Sequence, residues 1–193
     1  MDQDFIKNKI IQSIEVKQHL LSNNDLLLTI EKVAHKMVET FKNGGKVLFC
    51  GNGGSAADAQ HISAELSGRF YKDREPLYAE ALHVNTSYLT AVANDYSFDE
   101  VYSRMIKAMG QKGDLLVGLS TSGNSSNILN AIETANKLGM TTVGLTGNSG
   151  GKLKDLCSYL INIPSNDTPR IQESHILIGH ILCEITEKLM FTE

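Results

Sequence analysis

Three times along this chain a short apolar run breaks off into a loop of Gly, Ser, Thr and Asn, and a helix-compatible stretch follows. The runs are Lys46 to Cys50, Asp114 to Ser120 and Thr141 to Thr146; the loops are Gly51 to Ser55, Ser120 to Ser126 and Thr146 to Gly151. Runs this short and this apolar read as buried strands. Strands that alternate with helices across short Gly-rich turns imply a parallel sheet covered on both faces. Two more apolar runs, Leu77 to Val84 and Tyr159 to Ile163, bring the expected sheet to about five strands. The expected helices are 55–69, 87–93, 98–109, 125–138, a short one at 152–157, and a long last one at 170–190 after the loop from Pro164 to Pro169. The fold class is therefore α/β, doubly wound.

Residues 1–45 precede this alternation and carry helical spacing instead. Ile6, Ile10, Ile11, Ile14 and Val16 fall mostly on one face of a first helix. After Ser22 to Asp25, Leu26, Leu27, Ile30, Val33, Ala34, Met37, Val38 and Phe41 repeat the pattern, and Asn43-Gly44-Gly45 ends it. A helix with its own apolar stripe ahead of the α/β core points to a subunit contact. No long linker or repeat interrupts the chain, so residues 1–193 are expected to form one domain, with 46–193 as its core.

The balance of charges limits the partners. A net charge of −4 offers no basic footprint for nucleic acid or an anionic membrane, so any affinity for phosphate has to be local. No apolar run approaches ~18 residues, and the charged start does not read as a signal peptide. Cys50, Cys157 and Cys183 are scattered without metal-ligand spacing and read as reduced core thiols of a cytoplasmic protein. Cys50 ends a strand beside a loop, but no activating base stands near it in sequence.

Ligands of open parallel sheets bind beyond the carboxyl ends of the strands, where these loops lie. The loop from Gly51 to Ser55 leads into a helix whose first free N–H groups point back at it, and Asn52 and Ser55 suit a turn and a cap. The loop from Ser120 to Ser126 puts five hydroxyls within seven residues, with Gly123 among them and a helix start behind. A cap needs one hydroxyl; five make a neutral phosphate cradle. The third loop reads as turn chemistry. His61 and Glu65 stand four apart, hence on one helical face. Beside a phosphate loop they suggest an active site; alone they would be a solvated pair.

The Cys-Gly-Asn-Gly-Gly-Ser loop with the later Ser-Thr-Ser-Gly-Asn-Ser loop resembles the SIS domain, a phosphosugar-binding domain with a flavodoxin-like sheet. More narrowly, His61, Glu65, Arg69, Asn94-Asp95, Arg170-Ile171-Gln172-Glu173 and His180 resemble the phosphoheptose isomerase family, from end to end of the chain. The resemblance implies interconversion of sedoheptulose 7-phosphate and D-glycero-D-manno-heptose 7-phosphate, at the start of bacterial nucleotide-heptose synthesis. It implies Glu65 and His180 as the acid/base pair and one zinc per subunit on His61, Glu65, Gln172 and His180. It also implies substrate contacts from Asn52, Gly53, Gly54, Ser55, Glu65, Arg69, Asn94, Asp95, Ser120, Thr121, Ser122, Ser125 and Gln172, in a homotetramer. His175, three residues from Gln172, reads as a supporting or structural residue.

Gln172 and His180 raise a geometric question. Eight residues apart, they are separated by ~12 Å along a regular helix. Either the helix begins irregularly near Gln172, or the ligands converge from different subunits. Two other readings compete with the isomerase. One is a non-enzymatic SIS relative that bridges copies of a replication initiator; it lacks acid/base residues at the positions of Glu65 and His180. The other is a sugar-phosphate sensor or an isomerase for another phosphosugar, such as arabinose 5-phosphate or hexulose 6-phosphate.

Overall fold

A computed structural model describes residues 2–191. Two antiparallel-competent helices come first, α1 (Gln3–Ser22) and α2 (Asn24–Lys42), separated by a cap at Asn23, whose side-chain oxygen accepts the Leu26 N–H at 3.1 Å. The α/β core follows as β1 (Val47–Gly51), α3 (Gly54–Ser67), β2 (Ala79–Ala81), α4 (Thr86–Asp95), α5 (Val101–Met109), β3 (Leu115–Leu119), α6 (Ser126–Lys137), β4 (Thr141–Thr146), β5 (Tyr159–Asn162) and α7 (Thr168–Met190). All five strands are parallel, in the order β2-β1-β3-β4-β5. This is the doubly wound sheet that the alternation of strands and helices requires.

Strand side chains alternate between faces. Val47, Phe49, Leu115, Val117, Leu119, Val143 and Leu145 pack with α2, α3 and α7 in one apolar cluster, whereas Leu48, Cys50 and Leu116 point into a second cluster with α5 and α6. Both layers are needed because a parallel strand has no solvent face. Strand order reverses between β1 and β3, and the crevice at such a switch point is where this topology takes ligands. The loops after β1 and β3 are the first and second polar loops of the sequence.

Several boundaries differ from the sequence expectation. β2 is only Ala79–Ala81, because Leu77 already turns back to give its N–H to Leu66 O (3.1 Å) and Val84 closes a turn on Ala81 O (3.3 Å). The segments Phe98–Glu100 and Gly151–Asp155 are single 3-10 turns. α7 starts at Thr168, with Pro169 inside its first turn, where a missing N–H costs nothing. It then runs without interruption through Gln172 to Met190, so an irregular helix start does not bring Gln172 to His180.

The long helix α7 lies directly on α3. Gly179 makes that possible: a Cβ there would sit 2.4 Å from Ile62 Cδ1. Neighbouring His180 is thereby brought to His61. Outside the core, α1 docks on α7 through Arg170 and Glu173. Arg170 Nη1 donates to Lys9 O (2.6 Å), and Glu173 Oε2 accepts from Ser13 Oγ (2.7 Å). The rest of α1 leaves Phe5, Ile6, Ile10, Ile11 and Ile14 about half exposed.

Candidate active site

The first and second loops are bound to each other across the crevice. Asn52 and Asn127 exchange two amide hydrogen bonds, each 2.9 Å. Asn127 lies in the first turn of α6 and is buried, and its side chain holds the first loop against the start of that helix. Asn52 is consequently a strut between the loops and not a helix cap; Gly53 occupies the cap position of α3 and offers no side chain. The only sequence signal for Asn127 is an amide among the residues just after a hydroxyl-rich loop.

Ser55 is buried in the first turn of α3 and Ser120 just after β3, and Ser120 Oγ lies 3.0 Å from Ser125 Oγ. Ser122 Oγ accepts the Asn124 N–H at 3.2 Å. The hydroxyls of Ser120, Thr121, Ser122 and Ser125 thus belong to one turn that faces the start of α6. Thr121 and Ser122 also line a polar pocket of about 300 Å³ with Asn148, Ser165 and Thr168. The third loop and the 3-10 turn after it brace this turn: Gly147 N donates to Thr121 O (2.9 Å), Leu153 N to Gly123 O (3.1 Å) and Lys152 N to Asn124 Oδ1 (3.0 Å).

Along α3 from that cradle stands a second cluster. His61 Nε2 lies 3.1 Å from Glu65 Oε1, and His180 Nε2 lies 3.4 Å from His61 Nε2. Two ring nitrogens that face each other at this distance share either a proton or a cation. A tetrahedral ion with bonds of 2.0–2.1 Å separates its ligands by about 3.4 Å, so the spacing suits zinc. All three ligand atoms fall within 4.8 Å of one another. The cluster thus offers three of the four ligands that a tetrahedral zinc takes.

Asp58, which the sequence reading passed over, adjoins this cluster. It precedes His61 by three residues, on the same face of α3. Its Oδ2 is buried without a hydrogen-bond partner among the described residues, and burial pushes the carboxyl above its ordinary value against the opposing pull of His61 and His180. An acceptor left over beside two histidines is what a metal-ligating imidazole uses to orient its second nitrogen.

The remaining candidates are elsewhere in the single chain. The Gln172 amide packs on Gly54, 2.6 Å from where a Cβ would stand, and so lies at the cradle end of α3, about two turns from His61. Arg69 is exposed just beyond α3; Asn94 and Asp95 are exposed at the end of α4, with Asn94 Nδ2 donating to Asp95 Oδ1 at 2.9 Å. His175 is fully buried, and its Nε2 donates to Thr146 O at 3.2 Å, tying α7 to the end of β4. Cys50 is buried and its thiol pushed up by that burial; Cys157 and Cys183 are pushed up to about 12 by the same cause. None of the three thiols is prepared for nucleophilic work.

The chain matches known proteins over most of its length. A family model described as "SIS domain" matches residues 14–147. The phosphoheptose isomerase of Aneurinibacillus thermoaerophilus is 53% identical over 188 residues, which is 97% of this chain and 95% of that one. Among solved structures, the phosphoheptose isomerase of Francisella tularensis superposes with a TM-score of 0.92 at 39% identity, covering 97% of this chain and 100% of that one. The one from Neisseria gonorrhoeae gives 0.90 at 42% identity, covering 96% and 98%. With a 2-1-3-4-5 parallel sheet, a hydroxyl cradle at its switch point and a His/Glu/His cluster beside it, this chain belongs to the SIS domain family and, within it, to the phosphoheptose isomerases.

Proposed function

We propose that this protein interconverts sedoheptulose 7-phosphate and D-glycero-D-manno-heptose 7-phosphate, the isomerisation that opens bacterial nucleotide-heptose synthesis. One observation carries the reading: α3 bears Ser55 of the cradle at its start and His61 and Glu65 further along, where α7 sets His180 against His61. Ser55 and His61 are six residues apart, about 9 Å along its axis, in keeping with an extended seven-carbon chain held by its phosphate at one end and worked on at the other.

The phosphate is gripped by the hydroxyls of Ser55, Ser120, Thr121, Ser122 and Ser125, by the backbone of Asn52 to Gly54, and by the dipoles of α3 and α6. At the far end Glu65 takes a proton from C1 of the ketose while the imidazole of His180 gives one to the C2 oxygen from Nδ1, the ring nitrogen not turned to His61, yielding the enediol. Glu65 then returns its proton to C2, and His180 recovers one from the C1 oxygen, leaving the aldose. Each group ends the cycle as it began. One carboxylate oxygen can face His61 while the other meets the substrate, so ligation and proton transfer need not exclude each other.

His61, Glu65 and His180 are the residues of this chain that would hold zinc. When bound, the ion would polarise the sugar oxygens and offset the charge that develops on them. Gln172 would complete the set, and Arg69, Asn94 and Asp95 would reach the sugar, across a subunit boundary. The apolar side of α1 supports a homotetramer in which residues 1–45 serve assembly and 46–193 bind the sugar. Residues 1–193 then act as one domain, in the cytoplasm, where three free cysteines are at home. No described helix is long and apolar enough to cross a membrane.

The direct test is purified protein with sedoheptulose 7-phosphate, followed by NMR. Glu65→Gln and His180→Gln should each lose ~10²–10⁴ in turnover with the fold intact. Near-normal turnover in either variant removes that residue from its role. Equal turnover of arabinose 5-phosphate or hexulose 6-phosphate would overturn the substrate assignment.

A further inference from the structure

Between α3 and β2 the chain runs from Gly68 to Tyr78 without regular structure, yet it is tightly held. Arg74 does most of this. Its Nη1 donates to the carbonyls of Leu66 (2.7 Å) and Gly68 (2.8 Å), and its Nη2 to that of Glu65 (2.9 Å). These are carbonyls of the last turn of α3, which lack helical partners and carry the negative end of the dipole. The Arg74 side chain is only 3% exposed, and its charge is met by Glu187 of α7, equally buried, with Nε to Oε2 at 3.5 Å. Glu187 Oε1 also accepts the N–H of Lys72, and Lys72 Nζ donates to Phe191 O at 2.7 Å. The segment is thus pinned to α7 seven residues, two helical turns, beyond His180.

What this pinning delivers is a ring. Phe70 lies face to face with the His180 imidazole, centroids 5.7 Å apart and planes inclined by 23°, while His61 meets the same ring edge-on at 5.0 Å. His180 has one hydrogen-bond contact among the described residues, to His61. Its plane is therefore set by that contact and by the flat surface of Phe70. An aliphatic side chain could fill the volume, but it would not fix the tilt of an imidazole.

We infer that Phe70 is a positioning residue for His180, kept on the imidazole by the buried Arg74–Glu187 pair. This rests on the isomerase reading for its kinetic consequence but not for its spectroscopic one. A proton transfer has narrow tolerance in distance and angle, so a tilted imidazole loses turnover more than binding.

The test uses the full-length protein and side-chain ¹H–¹³C NMR of the histidines, with His180 assigned through His180→Gln. Phe70→Leu should move the His180 ring protons downfield, out of the shielding of the phenyl face. It should also lower kcat roughly ten- to hundredfold while KM stays within about threefold. Phe70→Tyr, which keeps the flat face, should restore both. Glu187→Gln removes the charge that anchors Arg74 and should shift the same signals in the same direction. Unmoved His180 resonances in Phe70→Leu, or kcat within about twofold of the parent, would overturn the inference. Absence of turnover in the unsubstituted protein would instead sink the isomerase reading.

Discussion

A methyl group on Gly123 should disable the proposed phosphate cradle while leaving the chain folded. Gly123 adopts φ +66°, and a Cβ there would lie 2.2 Å from Gly150 O and 2.6 Å from Gly150 C, backbone atoms of the loop that braces the cradle. Gly113, at φ +92° before β3, is the internal control: nothing lies within 4 Å of its Cβ position. Both alanine variants carry the cost of a left-handed L-residue, about 1–2 kcal/mol. Only Gly123→Ala adds forced repacking, about 1–3 kcal/mol, for a total of roughly 2–5 kcal/mol. To relieve the contact the two loops must separate by about 0.8 Å to reach even the 3.0 Å limit of real contacts. A displacement of that order at a binding site costs up to ~10²-fold. Urea melts give the stabilities; KM for sedoheptulose 7-phosphate and inhibition by inorganic phosphate report the cradle. Gly123→Ala should weaken both ligands well beyond Gly113→Ala. Equal stabilities with unchanged KM in the two variants would refute the bracing of the second loop by the third.

Burial lowers the His175 pKa from 6.5 to about 4. The unfolded chain therefore takes up a proton below about pH 6.5 that the folded chain refuses until about pH 4, and stability, full above this window, falls by about 3 kcal/mol across it. Urea melts between pH 4 and 7 should show His175→Gln losing about one proton's worth of slope; an unchanged slope counts against the assignment. Zinc titrated into metal-free protein should bind once per chain by calorimetry and raise the unfolding free energy by about 4 kcal/mol at a thousandfold excess over Kd. His61→Ala should abolish both effects, and zinc binding that survives it would place the ion elsewhere. Ile10→Lys puts a charge in the exposed apolar side of α1 and should shift the assembly to smaller species in light scattering; unchanged mass would mean this helix face is not an interface.

Much of the fold was legible because its causes are local. The unbroken apolar run Val47-Leu48-Phe49-Cys50 encodes a strand buried on both faces, and a glycine- or serine-rich stop encodes the turn to the next helix. Pro169 was harder to place: it ends a loop by composition but opens α7 in fact, since the first helical turn does not need its N–H. β2 was overread because Leu77 and Val84 are apolar yet belong to turns at a sheet edge.

At the site, His61 and Glu65 could be paired from spacing alone, since four residues bring two side chains together on any α-helix. Nothing local could pair His61 with His180, which lies 119 residues away. That contact exists because Gly179 lets α7 press against Ile62. The same packing puts Gln172 against Gly54, spends Asn52 on Asn127, and closes Arg74 on Glu187. By itself the sequence determined the elements to within a few residues, their layering and the hydroxyl-rich loops between them, because periodicity and turn chemistry act over a few residues. The tertiary structure alone decided which distant side chains meet, because that depends on how closely two helices approach, a quantity set by the shapes of both surfaces at once.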